Sequence, residues 1–185
     1  MKKTLDEEFP AGLLRGGDKF AEQRVWLVRG AFEFRMKLAT DKKRMLSDNL
    51  MLFYTNRTRK ADDILLEQKN QMDAKFDYLK HIKSIAVETR DILTNGRIDG
   101  IGELLHRGWS WKSKMSGRVS NTEIDIMYNA AREAGALGGK ICGAGAGGFL
   151  LLYCPHPLQT QVREALAAYR ELPFNLERDG SKVIF

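Results

Sequence analysis

The chain reads as an α+β domain, a mainly antiparallel sheet with helices packed on one face. Three observations predict this. The apolar runs Leu50–Thr55 and Phe149–Cys154 have the length and bounding turns of strands. Elsewhere apolar residues recur at three- and four-residue spacing, the period of helices. Finally, the glycine-rich segment Gly143–Gly148 leads straight into an apolar strand, not into a helix.

The elements follow in chain order. Residues 1–44 show a weak pattern interrupted by Gly12, Gly16, Gly17 and Gly30, so they are left unassigned and the domain is placed at residues 45–185. Leu50–Thr55 is a buried strand ended by Asn56-Arg57-Thr58. After Thr58, read as an N-cap, Ile64, Leu65, Met72, Phe76, Leu79, Ile82, Ala86 and Leu93 form a helical stripe that stops at Asn95-Gly96. That run is long for one helix and leaves room for a break between Asn70 and Asp73. Ile98–Met115 is a second helix carrying Ile101, Leu104, Leu105 and Trp109. Ser120 with Glu123 reads as a capping box for a third helix running to about Ala134. Gly135–Gly139 breaks the pattern, Lys140-Ile141-Cys142 begins a strand, and Phe149–Cys154 returns. Pro157 opens a fourth helix with Val162, Leu166 and Tyr169 on its apolar face. Phe174-Asn175-Leu176 and Lys182–Phe185 flank Asp179-Gly180, a signal for a terminal hairpin.

Composition narrows the class. Of 185 residues, 43% are hydrophobic and 29% charged, an ordinary mixture for one domain, or for one and a fragment. No apolar run approaches the roughly 20 residues of a membrane span, and Met1–Glu8 lacks a signal-peptide stretch, so the expectation is a cytoplasmic protein with no membrane partner. Cys142 and Cys154 stand at unequal distances from the glycine loop and are expected to be buried free thiols. His81, His106 and His156 lack ligand spacing, and no metal site is expected. The net charge of +6 is mostly interleaved with acids, but no acid falls between Leu104 and Thr122, where His106, Arg107, Lys112, Lys114 and Arg118 lie. Such a surface fits a phosphorylated sugar or a nucleotide as well as a polymer. No nucleic-acid recognition motif accompanies it, and no nucleic-acid partner is expected.

Gly143-Ala144-Gly145-Ala146-Gly147-Gly148 formally contains G-x-G-x-x-G, yet a dinucleotide fold needs a helix directly after it, and no Lys-Ser or Lys-Thr follows to make a P-loop. Four glycines exceed what a hairpin turn needs, which leaves two readings: a tight turn, or a surface where backbone approaches a ligand or a second loop closely. Residues Ala134–Phe149 resemble the third sequence motif of the GHMP superfamily, the kinases of galactose, homoserine, mevalonate and phosphomevalonate. Leu52–Arg59 with Ile64, Leu65 and Gln68, then His106–Trp109 with Lys112, and Val119-Ser120-Asn121 with Ile124, Asp125 and Tyr128, resemble the heptose 7-phosphate kinases of that superfamily. The likeness covers roughly three quarters of the chain.

The resemblance implies a ferredoxin-like carboxyl-terminal domain of an ATP-dependent sugar-phosphate kinase, with ATP and Mg²⁺ as cofactors of the complete enzyme and a small-molecule sugar phosphate as acceptor. It implies that Gly143, Ala144, Gly145, Ala146, Gly147 and Gly148 border the active-site cleft. The phosphate-binding loop and the acidic residue of such kinases belong to the amino-terminal domain. No Gly-Ser-Ser loop is legible here, residues 1–44 are too short for that domain, and no catalytic residue is assigned. The chain alone is therefore expected to be inactive and to bind neither cofactor, its partner being a separate amino-terminal half or a second copy. The alternative is a non-catalytic sugar-phosphate-binding or regulatory domain on the same scaffold. Arg57, Arg59 and Lys112 are candidates for the substrate phosphate; equally, the arginines solvate a turn and Lys112 a helix face. Trp109 is expected in the core, and Trp111 at a cleft or interface.

Overall fold

The computed structural model describes residues 39–58, 61–70 and 74–176. Arg59 and the expected hairpin strand Lys182–Phe185 lie outside them. Helix α1, Thr40–Asp48, runs across the expected residue-45 boundary and leads into β1, Leu50–Tyr54. Next come α2, Ala61–Asn70, and α3, Phe76–Thr94, then α4, Ile101–Lys112, and α5, Thr122–Glu133. The hairpin of β2, Gly138–Ile141, and β3, Phe149–Tyr153, precedes a 3₁₀ turn at His156–Leu158 and α6, Gln159–Ala165.

The three strands are antiparallel in the order β1-β3-β2. Met51 opposes Leu152 and Phe53 opposes Leu150, while Ile141 opposes Leu150 from the other side, so these residues share one sheet face. All are at most 1% exposed and pack with Ile124, Met127 and Ala131 of α5 and Val162 of α6. Each such side chain contributes about 1.5–3 kcal/mol through burial. The outer edge of β1 is closed by backbone: Tyr54 N–H donates to Arg170 O (2.9 Å) and Leu172 N–H to Leu52 O (2.8 Å).

Several boundaries shift for reasons of contact. The helix after β1 is described from Ala61, and before it Arg57 O accepts from Gly148 N–H (2.9 Å). The expected break is found: α2 ends at Asn70 and α3 starts at Phe76. The Asn95-Gly96 stop holds, with Gly96 at φ +67°. β2 starts at Gly138, earlier than the expected Lys140, since α4 crosses so near that a Cβ on Gly138 would lie 1.9 Å from Gly102 O. Both glycines thus belong to the strand, Gly138 making room for a helix backbone and Gly139 for β3, where a Cβ would lie 2.4 Å from Leu151 O. Cys142 and Cys154 are both free. Cys154 is buried as expected, but Cys142, beside the loop, is only half-buried.

A glycine loop bound from four sides, and its family

The Gly143–Gly148 loop closes the β2–β3 hairpin and is tied to the domain by its carbonyls. Lys112 Nζ, at the end of α4, donates to Gly143 O at 2.6 Å. Gln68 Nε2 of α2 donates to Ala144 O at 3.1 Å, and Asn121 Nδ2, ahead of α5, to Ala146 O at 3.4 Å. Thr55, at the end of β1, donates to Gly148 O from both Oγ1 (3.0 Å) and its backbone N–H (2.9 Å). Donors thus arrive from four separate elements. Gly145 has φ +115°, and a Cβ there would stand 2.5 Å from Val119 O, so both backbone angle and space demand glycine. The loop is therefore more than a tight turn.

The cap of α5 differs from expectation. Asn121, not Ser120, is the N-cap, its Oδ1 accepting from Ile124 N–H at 3.0 Å. Ser120 Oγ donates to Asp125 Oδ1 at 2.6 Å instead, and Glu123 turns away to pair with Arg57. A capping box needs its acid to fold back on its own helix; a guanidinium from another element holds this one.

Beside the loop an open depression of about 560 Å³ is lined by Thr55, Asn56, Arg57, Thr58, Glu123, Ala168 and Tyr169. Arg57 forks onto both carboxylate oxygens of Glu123. That hydrogen bonding holds the carboxyl below its usual range and raises the guanidinium. Of the expected phosphate candidates, Arg57 lines this depression and Lys112 braces the loop, while Arg59 lies outside the described residues. Sequence reasoning did not single out Gln68, Asn121 or Glu123 as site residues, and nothing in their local pattern announces partners so far along the chain.

Both arginines of the basic stretch are answered by acids: Arg107 pairs with Glu88 (3.0 Å) and Arg118 with Glu67 (3.1 Å). Trp109 is in the core, at 5% exposure. Trp111 stacks on His81 (4.2 Å between centroids) and packs beside Tyr78, joining α3 to α4. Among the described residues no three of His, Cys, Asp or Glu converge as metal ligands, and no helix is long and apolar enough to cross a membrane.

An antiparallel α+β layer with a glycine loop at one end of its hairpin is the fold of the GHMP kinase carboxyl-terminal domain. Residues 89–171 match the family model described as GHMP kinases C terminal. The chain is 32% identical over 110 residues to the D-glycero-alpha-D-manno-heptose 7-phosphate kinase of Campylobacter jejuni, a match covering 58% of this chain and 32% of that protein. The chain thus spans about a third of the length of such relatives. A D-glycero-D-manno-heptose 1-phosphate kinase from Bacteroides thetaiotaomicron shares the fold with a TM-score of 0.54 at 20% identity, over 80% of this chain and 40% of that one. The mevalonate kinase of L. major, solved with R-mevalonate, gives a TM-score of 0.57 at 19% identity, covering 64% and 37%.

Proposed function

We propose that this chain is the carboxyl-terminal half of an ATP-dependent sugar-phosphate kinase whose acceptor resembles heptose 7-phosphate, and that the described domain alone does not transfer phosphoryl groups. The observation that carries this reading is the anchoring of the loop. Across a trans peptide the carbonyl of one residue and the N–H of the next point in opposite directions, and no peptide among the described residues is cis. With Gly143 O, Ala144 O and Ala146 O drawn toward donors on α4, α2 and the α5 cap, the N–H groups of Ala144, Gly145 and Gly147 turn away from those donors. Such a row of fixed N–H dipoles suits one wall of a cleft in which phosphate oxygens are held. Arg57 and Arg59 are proposed to meet the acceptor's phosphate, and Lys112, which donates to Gly143 O, to brace the wall.

Phosphoryl transfer is mostly positioning and charge neutralisation, and one wall supplies only part of either. Mg²⁺-ATP, the donor of the complete enzyme, brings the transferable phosphoryl group. Its site is assigned to the amino-terminal half, as the family resemblance implies. Cytoplasmic location belongs to the same proposal. The test measures transfer from Mg²⁺-ATP to D-glycero-D-manno-heptose 7-phosphate, first with this chain alone and then with an amino-terminal GHMP half supplied in trans or fused. The expected result is no turnover alone and turnover when complemented. Turnover by the chain alone would overturn the half-enzyme reading, and silence in the complemented sample would overturn the kinase reading.

A further inference from the structure

We propose that the depression at the end of β1 is a phosphate-monoester site, and that Glu123 occupies in the unliganded protein the position a phosphate takes, serving as a displaceable counter-ion. The inference takes its ligand class from the sugar-phosphate kinase reading. Its chemistry stands on the geometry.

Arg57 presents Nε and Nη2 side by side to both oxygens of Glu123. A guanidinium offers that fork to carboxylate and phosphate alike, and a dianion with more acceptor oxygens competes well for it. The pair lies at the surface, its side chains 47% and 58% exposed, where water and salt screen the attraction and exchange of partner is cheap. Neither residue depends on the pair for its place. Arg57 is held through its backbone, where its O accepts from Gly148 N–H at 2.9 Å, and Glu123 follows a helix already capped by Asn121. The fork can therefore change partner without moving the loop or unwinding α5.

The surroundings suit a phosphorylated polyol. Thr55 Oγ1 and Asn56 Nδ2 already donate, to Gly148 O (3.0 Å) and Ala168 O (3.4 Å), and serve as walls. The Thr58 and Tyr169 hydroxyls, with no hydrogen bond to a described residue, are open to a ligand. Glu123 is the one acid among the lining residues, so its displacement leaves a site of positive charge. A volume of about 560 Å³ holds more than a phosphate and leaves room for a sugar attached to it.

The experiment is calorimetric titration of the full chain with glucose 6-phosphate, inorganic phosphate and glucose. The variants are Glu123→Gln, Arg57→Ala and Glu88→Gln, the last removing the same charge from the Arg107 pair on α3 and α4. Glu123→Gln is expected to bind both phosphate-bearing probes about tenfold tighter than the parent, with no gain toward glucose. Arg57→Ala should lose the binding and Glu88→Gln should match the parent. A gain in affinity is not a result that misfolding produces. The proposal is overturned if Glu123→Gln binds no tighter, if Glu88→Gln gains equally, or if Arg57→Ala keeps its affinity. Failure of the kinase reading looks different: the gain persists while the complemented protein transfers nothing. Transfer without the gain would leave the kinase reading standing and remove the counter-ion.

Discussion

Tyr128, on α5, is 5% exposed, and its hydroxyl meets His106 Nδ1 at 2.7 Å. Burial is the main cause that pushes its phenol from 10.0 up to about 12. In the folded protein it therefore keeps its proton through a range where the unfolded chain gives it up. The stabilisation is full below pH 10 and is lost as pH rises from about 10 toward 12, about 3 kcal/mol in all. Urea unfolding of the parent at pH 8 and pH 11 should show a steeper fall than in Tyr128→Phe, whose residual decline comes from groups such as the buried Cys154 thiol, itself raised to about 11 by burial. Equal slopes would place no such penalty on Tyr128. The histidine contact, which lies 22 positions back along the chain, was not legible from the residues around Tyr128.

At the scale of elements, Asn121 joins a helix to the loop. Its Oδ1 caps α5 through Ile124 N–H, and that bond fixes which end of the amide is left to face Ala146 O. The two duties separate by substitution. Asn121→Ala removes both and should cost about 1 kcal/mol of stability, as cap losses do. Asn121→Asp keeps an accepting oxygen at the cap but brings a carboxylate against the Ala146 carbonyl. It should unfold at nearly the parent's denaturant midpoint, yet exchange its Ala146 amide faster, the one that donates to Val119 O at 2.6 Å. Unchanged exchange in the Asp variant would mean that the amide does not brace the loop. From sequence the start of this helix was visible to within a residue, but Ser120 and Asn121 are both good caps. The choice between them was made by the loop and by Arg57, which drew Glu123 out of the capping box.

For the molecule as a whole, the charge excess of +6 reads differently once partners are known. Glu88 and Glu67, from α3 and α2, lie against Arg107 and Arg118, so the acid-free stretch is not an acid-free surface. Lys112 spends a hydrogen bond on Gly143 O. Without a continuous positive stripe among the described residues, a labelled DNA duplex at physiological salt should show no rise in anisotropy up to about 100 μM protein, the upper end of ordinary non-specific dissociation constants. Binding that weakens steeply with salt would revive the polymer reading.

What the sequence alone determined about this protein is what neighbouring residues decide among themselves. The strands Leu50–Tyr54 and Phe149–Tyr153, the break after Asn70, the stop at Asn95-Gly96 and the glycine run follow from apolar period, turn chemistry and the space glycine leaves. The resemblance carried by Ala134–Phe149 rests on the same local signals. Tertiary structure decided which distant groups share a site: Arg57 with Glu123 across 66 positions, Gln68 with Ala144 across 76, and Lys112 with Gly143 across 31. It also decided that Gly138 and Gly139 belong to a strand, because only the approach of α4 to Gly138 and of β3 to Gly139 makes a missing Cβ necessary there. The physical reason is common to all of these. A side chain's local context limits what it can donate or accept, whereas its partner is set by packing elements that lie far apart along the chain.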